Sequence, residues 1–438
     1  MENNGETTMK STLSRRSQRI PIDLDYVRNY SSWPAIQNPY HETENPEGIV
    51  NFGTAVSGLM DDVWLERLNT IPVYEPNYKH FRYYQFWGPD TFRRKLADFM
   101  THFFKPKSPI NFENLFILNG ALVSVDILSF LLTDAKDVFL CPVPGYNGYF
   151  QAGTQRWETE VVSIPLTSNQ DTNEPFVLKL ESIENVALKQ KRLGKNVRGI
   201  ILNNPSNPLG TVWNKELVEG IMKFCQREKI HLIADEMYCM SVFDKSTQFH
   251  STLEIHSDEL MDAGLLHVIW GFSKDLCLTA FRTGVIHSKN RELQLKLMCG
   301  SQFQAVSLPI MDMLERIISD IGWFEQTFVP TNHERLQSSY DKARNFMSSL
   351  GIATTKTKAG FFFLANFSPF LKPPTKENCK AFIKKLYEHG VHITPGWEMR
   401  AEPGWFRLVY TPYLGKGLDE GLLRLKNALQ NLQDKNIE

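Results

Sequence analysis

Apolar residues along this chain fall into short runs that repeat at a steady interval. Phe92 to Phe104 spaces them as one face of a helix, Asn114 to Asn119 reads as a strand, Val123 to Leu132 as a helix and Asp137 to Cys141 as a strand. The rhythm continues through Val197 to Leu202, Lys215 to Arg227, Ile230 to Ala234 and His267 to Trp270. The strand-like runs are apolar throughout, as strands buried on both faces are, which predicts an α/β fold with a largely parallel sheet. Beyond about residue 310 the pattern changes to a long helical stretch (Met311 to Leu350), a strand (Phe361 to Phe367), a helix near Lys380 to His389 and a strand (Trp405 to Thr411). That succession predicts a second, α+β domain. Residues 1 to about 45 are polar, so order is expected to begin near the segment NPEGIVNFG (45–53), with the first twenty residues floppy.

The 438 residues carry 48 Lys and Arg against 49 Asp and Glu, and no basic stripe accompanies the aromatics. Neither nucleic acid nor an anionic membrane is implied as a partner, which leaves a small molecule. The basic run at 189–198 reads as a solvated helix end and loop. No leader-like apolar region opens the chain, the longest near-apolar stretch (Val125 to Leu132) is far short of a span, and six scattered cysteines show no CxxC pair. The expectation is a cytoplasmic protein. No metal is expected either, since the closest histidine pair, His389 and His392, has no third ligand nearby.

In open parallel sheets ligands bind beyond the carboxyl ends of the strands. Here those ends run into Asn119-Gly120-Ala121, CPVPGY (141–146), NNPSNPLG (203–210), Asp235-Glu236 and GFSKD (271–275). Singly, each loop reads as a turn, a helix cap or a surface lysine. Jointly, NPSNPLG at 204–210, DEMY at 235–238 and SKDLCLTAFRTG at 273–284 are far more specific.

With GALVSVDIL (120–128), PVPGY (142–146) and EPGWFRLVY (402–410), these segments resemble the fold type I pyridoxal-phosphate (PLP) enzymes. The resemblance is to the class I/II aminotransferase family and its 1-aminocyclopropane-1-carboxylate synthase-like branch, over roughly residues 45–430. It implies an N-terminal segment (1–45), an N-terminal part of the small domain with a linker (46–90), a large PLP-binding domain (91–310) and a C-terminal small domain (311–438). It also implies a homodimer.

Lys274 looks like the family's Schiff-base lysine, which also moves a proton between the substrate Cα and the cofactor. Asp235 resembles the aspartate that pairs with the pyridinium nitrogen. Asn207 and Tyr238 match hydrogen-bonding partners of the phenolic oxygen, and Tyr146 the aromatic stacked on the ring. Arg282, Ser273 and the amides of Gly120, Ala121 and Leu122 correspond to the phosphate site. Arg407 matches the arginine that grips the substrate α-carboxylate, implying an α-amino acid substrate.

Four positions depart from the family. Val123 and Gly271 stand where hydroxyl-bearing phosphate ligands are usual, and Phe86 stands for a tyrosine donated by the neighbouring subunit, unless Tyr83 or Tyr84 replaces it. Each lost charge-assisted hydrogen bond costs about 1.5–3 kcal/mol, so a weaker hold on PLP is expected. Val56 in GTAVSG replaces the glutamate of true 1-aminocyclopropane-1-carboxylate synthases, which argues against that reaction. The resemblance implies transamination first. The alternatives are a carbon–sulfur lyase eliminating a β or γ substituent, as in fungal natural-product clusters, and a non-catalytic protein that kept the fold.

Overall fold

The computed structural model describes residues 12–20, 23–169 and 174–434. A seven-stranded sheet forms its centre, built from β1 (Leu115–Leu118), β2 (Val138–Val143), β3 (Glu160–Pro165), β4 (Val197–Asn203), β5 (His231–Asp235), β6 (Leu266–Gly271) and β7 (Gly284–Ser288), in the order β1-β7-β6-β5-β4-β2-β3. All neighbours are parallel except β7, which runs antiparallel to both β1 and β6.

The wholly apolar strands have a simple cause. Alternate side chains feed two separate cores, with Leu140, Ile200, Leu232 and Val268 on one face and Phe139, Ile201, Ile233 and Ile269 on the other. Helices Asp90–Phe104 and Lys215–Glu228 supply apolar faces to the first core, and Ala121–Leu132 and Asn147–Trp157 to the second.

A smaller antiparallel sheet joins β8 (Ala353–Thr354), β9 (Phe362–Asn366), β10 (Thr394–Pro395) and β11 (Trp405–Val409) in the order β8-β9-β11-β10. Nearby, Val50–Asn51 pairs in parallel with Val391–His392, tying the early chain to this half of the molecule. His389 caps the helix Lys376–Glu388.

Two expectations change. The stretch from Met311 to Leu350 is not one helix: Leu308–Ile318 ends, Asp320 accepts a hydrogen bond from the Trp323 amide as a new cap, and a π-helical turn (Phe324–Phe328) leads into Val329–Ser349. Order also begins well before residue 45, in helices Leu24–Asn29 and Trp33–Gln37. Of the first twenty residues, expected to be floppy, 1–11 lie outside the described residues. All six cysteines are free, and among the described residues no helix is long and apolar enough to cross a membrane.

Candidate active site

Five parallel strands (β1, β2, β4, β5 and β6) and β7 bring their loops to one edge of the large sheet. Asn203 closes β4 and Asp235 closes β5, directly opposite each other in register. One turn of helix (Phe272–Asp275) follows β6 and carries Lys274, while Tyr146 precedes helix Asn147–Trp157 after β2. Arg407 arrives from the other sheet, on β11, where it lies opposite Leu364 and Thr394.

A cavity of about 330 Å³ joins these elements. Its wall includes Ala121, Leu122, Tyr146, Asn207, Asp235 and Tyr238, together with Ser273, Lys274, Arg282 and Arg407. Of the residues expected from the sequence, only Gly120 is not on the wall; it stands behind Arg282.

Lys274 Nζ donates to the Ala55 carbonyl at 2.5 Å. Burial, reinforced by the nearby Arg407 and Arg282 cations, pulls its ammonium down to about 8 from an ordinary 10.5. Burial pushes the Asp235 carboxyl up to about 6, opposed by the Tyr149 hydroxyl and the Met237 amide, which donate to its two oxygens. Arg407 donates to Asn207 Oδ1 at 3.0 Å and to the Gly53 carbonyl at 2.6 Å.

At the opposite end, Gly120 is the N-cap of helix Ala121–Leu132 and has φ +97°, with no side chain covering the first amides. A Cβ on Gly120 would stand 2.4 Å from Nη2 of Arg282, so the bare backbone is what lets guanidinium and helix terminus share one anion cradle. A Cβ on Gly284 would meet the Ala121 amide nitrogen at 2.5 Å, for the same close approach. Gly271 faces Gly284 across β6 and β7, and a Cβ there would lie 2.8 Å from the Thr283 carbonyl.

Phe86 packs edge-on against Tyr84, whose hydroxyl is committed to the Val306 carbonyl, while Tyr83 lies exposed. None of the three lines this chain's own cavity, nor does Val56.

Sequence reasoning missed Tyr149, Glu398, Ser32 and the Gly53–Ala55 loop, all of which line the cavity. Tyr149 had a signal: it falls three residues after Tyr146, on the first turn of the helix that follows a strand end. The others come from distant segments and had none.

An aspartate at the end of a central strand, a lysine on the turn after the next strand and an arginine from a second sheet define a fold type I PLP transferase. The chain belongs to the aminotransferase class I and II family, whose model matches residues 62–416. It is 30% identical over 403 residues to the mouse protein named "Probable inactive 1-aminocyclopropane-1-carboxylate synthase-like protein 2", covering 91% of this chain and 69% of that protein. It is 31% identical over 410 residues to 1-aminocyclopropane-1-carboxylate synthase 7 of Arabidopsis thaliana, covering 90% of each. A PLP-bound structure from Clostridium difficile superposes with a TM-score of 0.72 at 18% identity, over 93% of this chain and 98% of that one.

The cofactor is pyridoxal 5'-phosphate, and the residues present fit it. Among the described residues the buried Tyr238 hydroxyl and Arg407 Nε have no protein partner and Asp235 has no cation beside it, and the Gly120–Arg282 cradle is shaped for an anion.

Proposed function

We propose that this chain is a PLP-dependent aminotransferase acting on an α-amino acid. The observation that carries the reading is the shared cavity of Lys274 and Arg407, which sets a weakly basic amine and a bidentate carboxylate grip on one bound molecule. When bound, the cofactor supplies an electron sink for the negative charge left at the substrate Cα.

The chain's own residues do the rest. Arg407 orients the α-carboxylate, held in place by Asn207 and the Gly53 carbonyl. Lys274, whose depressed pKa leaves a fraction of it neutral near pH 7, accepts the Cα proton at Nζ and returns it. Asp235, kept anionic by its two donors, holds a proton on the cofactor's ring nitrogen. Tyr146 would pack over the ring, Asn207 and Tyr238 would bond its phenolic oxygen, and Arg282 with Ser273 and the amides of Gly120, Ala121 and Leu122 would hold the phosphate. The Gly53–Ala55 loop completes the wall beside Lys274 and Arg407, accepting a hydrogen bond from each.

A homodimer and a cytoplasmic setting belong to the same reading. Phe81 and Tyr83, 73% and 94% exposed, offer an aromatic surface beside the Phe86 position.

The test begins with colour. PLP added to the apoprotein gives a visible absorption band that Lys274→Ala abolishes, and amino-acid and keto-acid pairs exchange an amino group without releasing ammonia. Ammonia together with thiol from cysteine conjugates would establish the carbon–sulfur lyase instead. No band, or no product from any donor, would establish the non-catalytic reading.

A further inference from the structure

One charged group in the cavity has no role in amino-group chemistry. Glu398, in the turn Gly396–Met399 that follows β10, lines the same cavity as Lys274 and Arg407. The wall carries two acids, Asp235 and Glu398, and three cations, Lys274, Arg282 and Arg407. Under the proposed function each cation is spoken for, by the cofactor's carbonyl carbon, its phosphate and the substrate α-carboxylate. Asp235 faces the ring nitrogen. Glu398 is left as a partly buried carboxyl that none of these roles uses, within the influence of Arg407 but in no ion pair among the described residues.

Its observed partner is neutral: the Tyr26 hydroxyl donates to Oε1, and Oε2 has no hydrogen-bond partner among the described residues. Burial pushes the carboxyl up to about 7, against the pull of Arg407. Removing a carboxylate from water without a compensating charge is costly, so a group of this kind persists where a bound molecule completes it.

The Tyr26 contact is built rather than incidental. Asp23 caps the helix that carries Tyr26, Tyr26 stacks on Tyr30, Lys380 lies 5.2 Å over the Tyr30 ring, and the Tyr387 hydroxyl donates to the Ser31 carbonyl. The segment is thereby fastened against helix Lys376–Glu388, with Ser32 on the cavity wall and Tyr26 turned to Glu398.

We propose that Glu398, oriented by Tyr26, reads the substrate side chain, and that the site takes α-amino acids whose side chain carries a cationic nitrogen. The proposal rests on the cavity being an amino-acid site, and it names the substrate class of that site.

The holoenzyme is compared on pairs that differ by the terminal ammonium group, ornithine with norvaline and lysine with norleucine. The cationic member is expected to have a kcat/KM about tenfold or more higher, as one charge-assisted contact confers. In Glu398→Gln, which preserves shape, the ratio collapses toward one; Glu398→Asp retains part of it, and Tyr26→Phe lowers it less than Glu398→Gln does. A wild-type preference for the neutral member, or a ratio untouched by Glu398→Gln, would overturn the proposal.

Calorimetry on the borohydride-reduced holoenzyme, whose cofactor can no longer exchange amines, with 5-aminopentanoate and pentanoate gives a readout free of turnover. Tighter binding of the amine that is lost in Glu398→Gln supports the assignment, and equal affinity overturns it. If norvaline exchanges its amino group while ornithine has no advantage, the side-chain assignment alone fails. If no amino acid exchanges or shifts the visible band, the reading of the site fails first.

Discussion

Tyr149 donates its hydroxyl proton to Oδ2 of Asp235, while the Met237 amide donates to Oδ1 at 3.0 Å. Burial favours the neutral acid and both donors favour the anion, leaving Asp235 at about 6. Tyr149→Phe deletes one donor and keeps the ring packed edge-on against Tyr146. Asp235 then titrates roughly one unit higher, and the acid limb of the kcat profile moves up in pH by the same amount. A pH series on the holoenzyme, read by rate and by the visible band, checks it; an unmoved limb would show that the Tyr149 hydroxyl does not tune the carboxylate.

Gly120→Ala places a methyl group 2.4 Å from Arg282 Nη2, at a backbone φ of +97° that disfavours any side chain. The guanidinium has to withdraw from the helix terminus. One displaced charge-assisted contact, at about 1.5–3 kcal/mol, weakens PLP binding roughly 10- to 150-fold. Absorbance titration of the apoprotein measures it.

Lys274 should capture PLP in a pH-dependent way set by its depressed pKa of about 8. Capture needs the neutral amine. The rate of band formation therefore rises with pH and levels off above about 8, two or more units below where an ordinary lysine would level. Stopped-flow mixing across pH 6–10 follows it, and a rate still climbing tenfold per unit at pH 9.5 would contradict the depressed value.

Arg407→Lys keeps the charge but loses the planar fork that bonds Asn207 Oδ1 and the Gly53 carbonyl while facing the cavity. The expected loss in kcat/KM is about 10- to 100-fold, with PLP affinity little changed. Steady-state kinetics beside an absorbance titration separate the two.

The large sheet was legible because its strands bury both faces, so unbroken apolar runs such as Ile200–Leu202 and Leu232–Ala234 mark them. The reversed direction of β7 was not, since a strand's orientation depends on its neighbours and leaves no trace in its own residues. The site was legible where it lies in contiguous loops: Asp235, Lys274 and Arg407 sit in specific segments. Ala55 escaped notice because it meets Lys274 from 219 residues away. The helices of Leu24–Asn29 and Trp33–Gln37 are six and five residues long, too short to show a periodic face, and long-range contacts such as Tyr26 to Glu398 hold them, so local pattern gave them no support. Asp320 did carry a cap signal, but the apolar spacing on both sides masked it.

Arg407 bonds to groups 200 and 354 residues earlier in the chain. During synthesis, which proceeds from the amino end, all seven strands of the large sheet and Lys274 leave the ribosome well before β11 does. A nascent chain at that point carries a reactive amine and an anion cradle with nothing to clasp a carboxylate. Every residue that the proposed reading gives to the cofactor is thus synthesised before the arginine it gives to the substrate carboxylate.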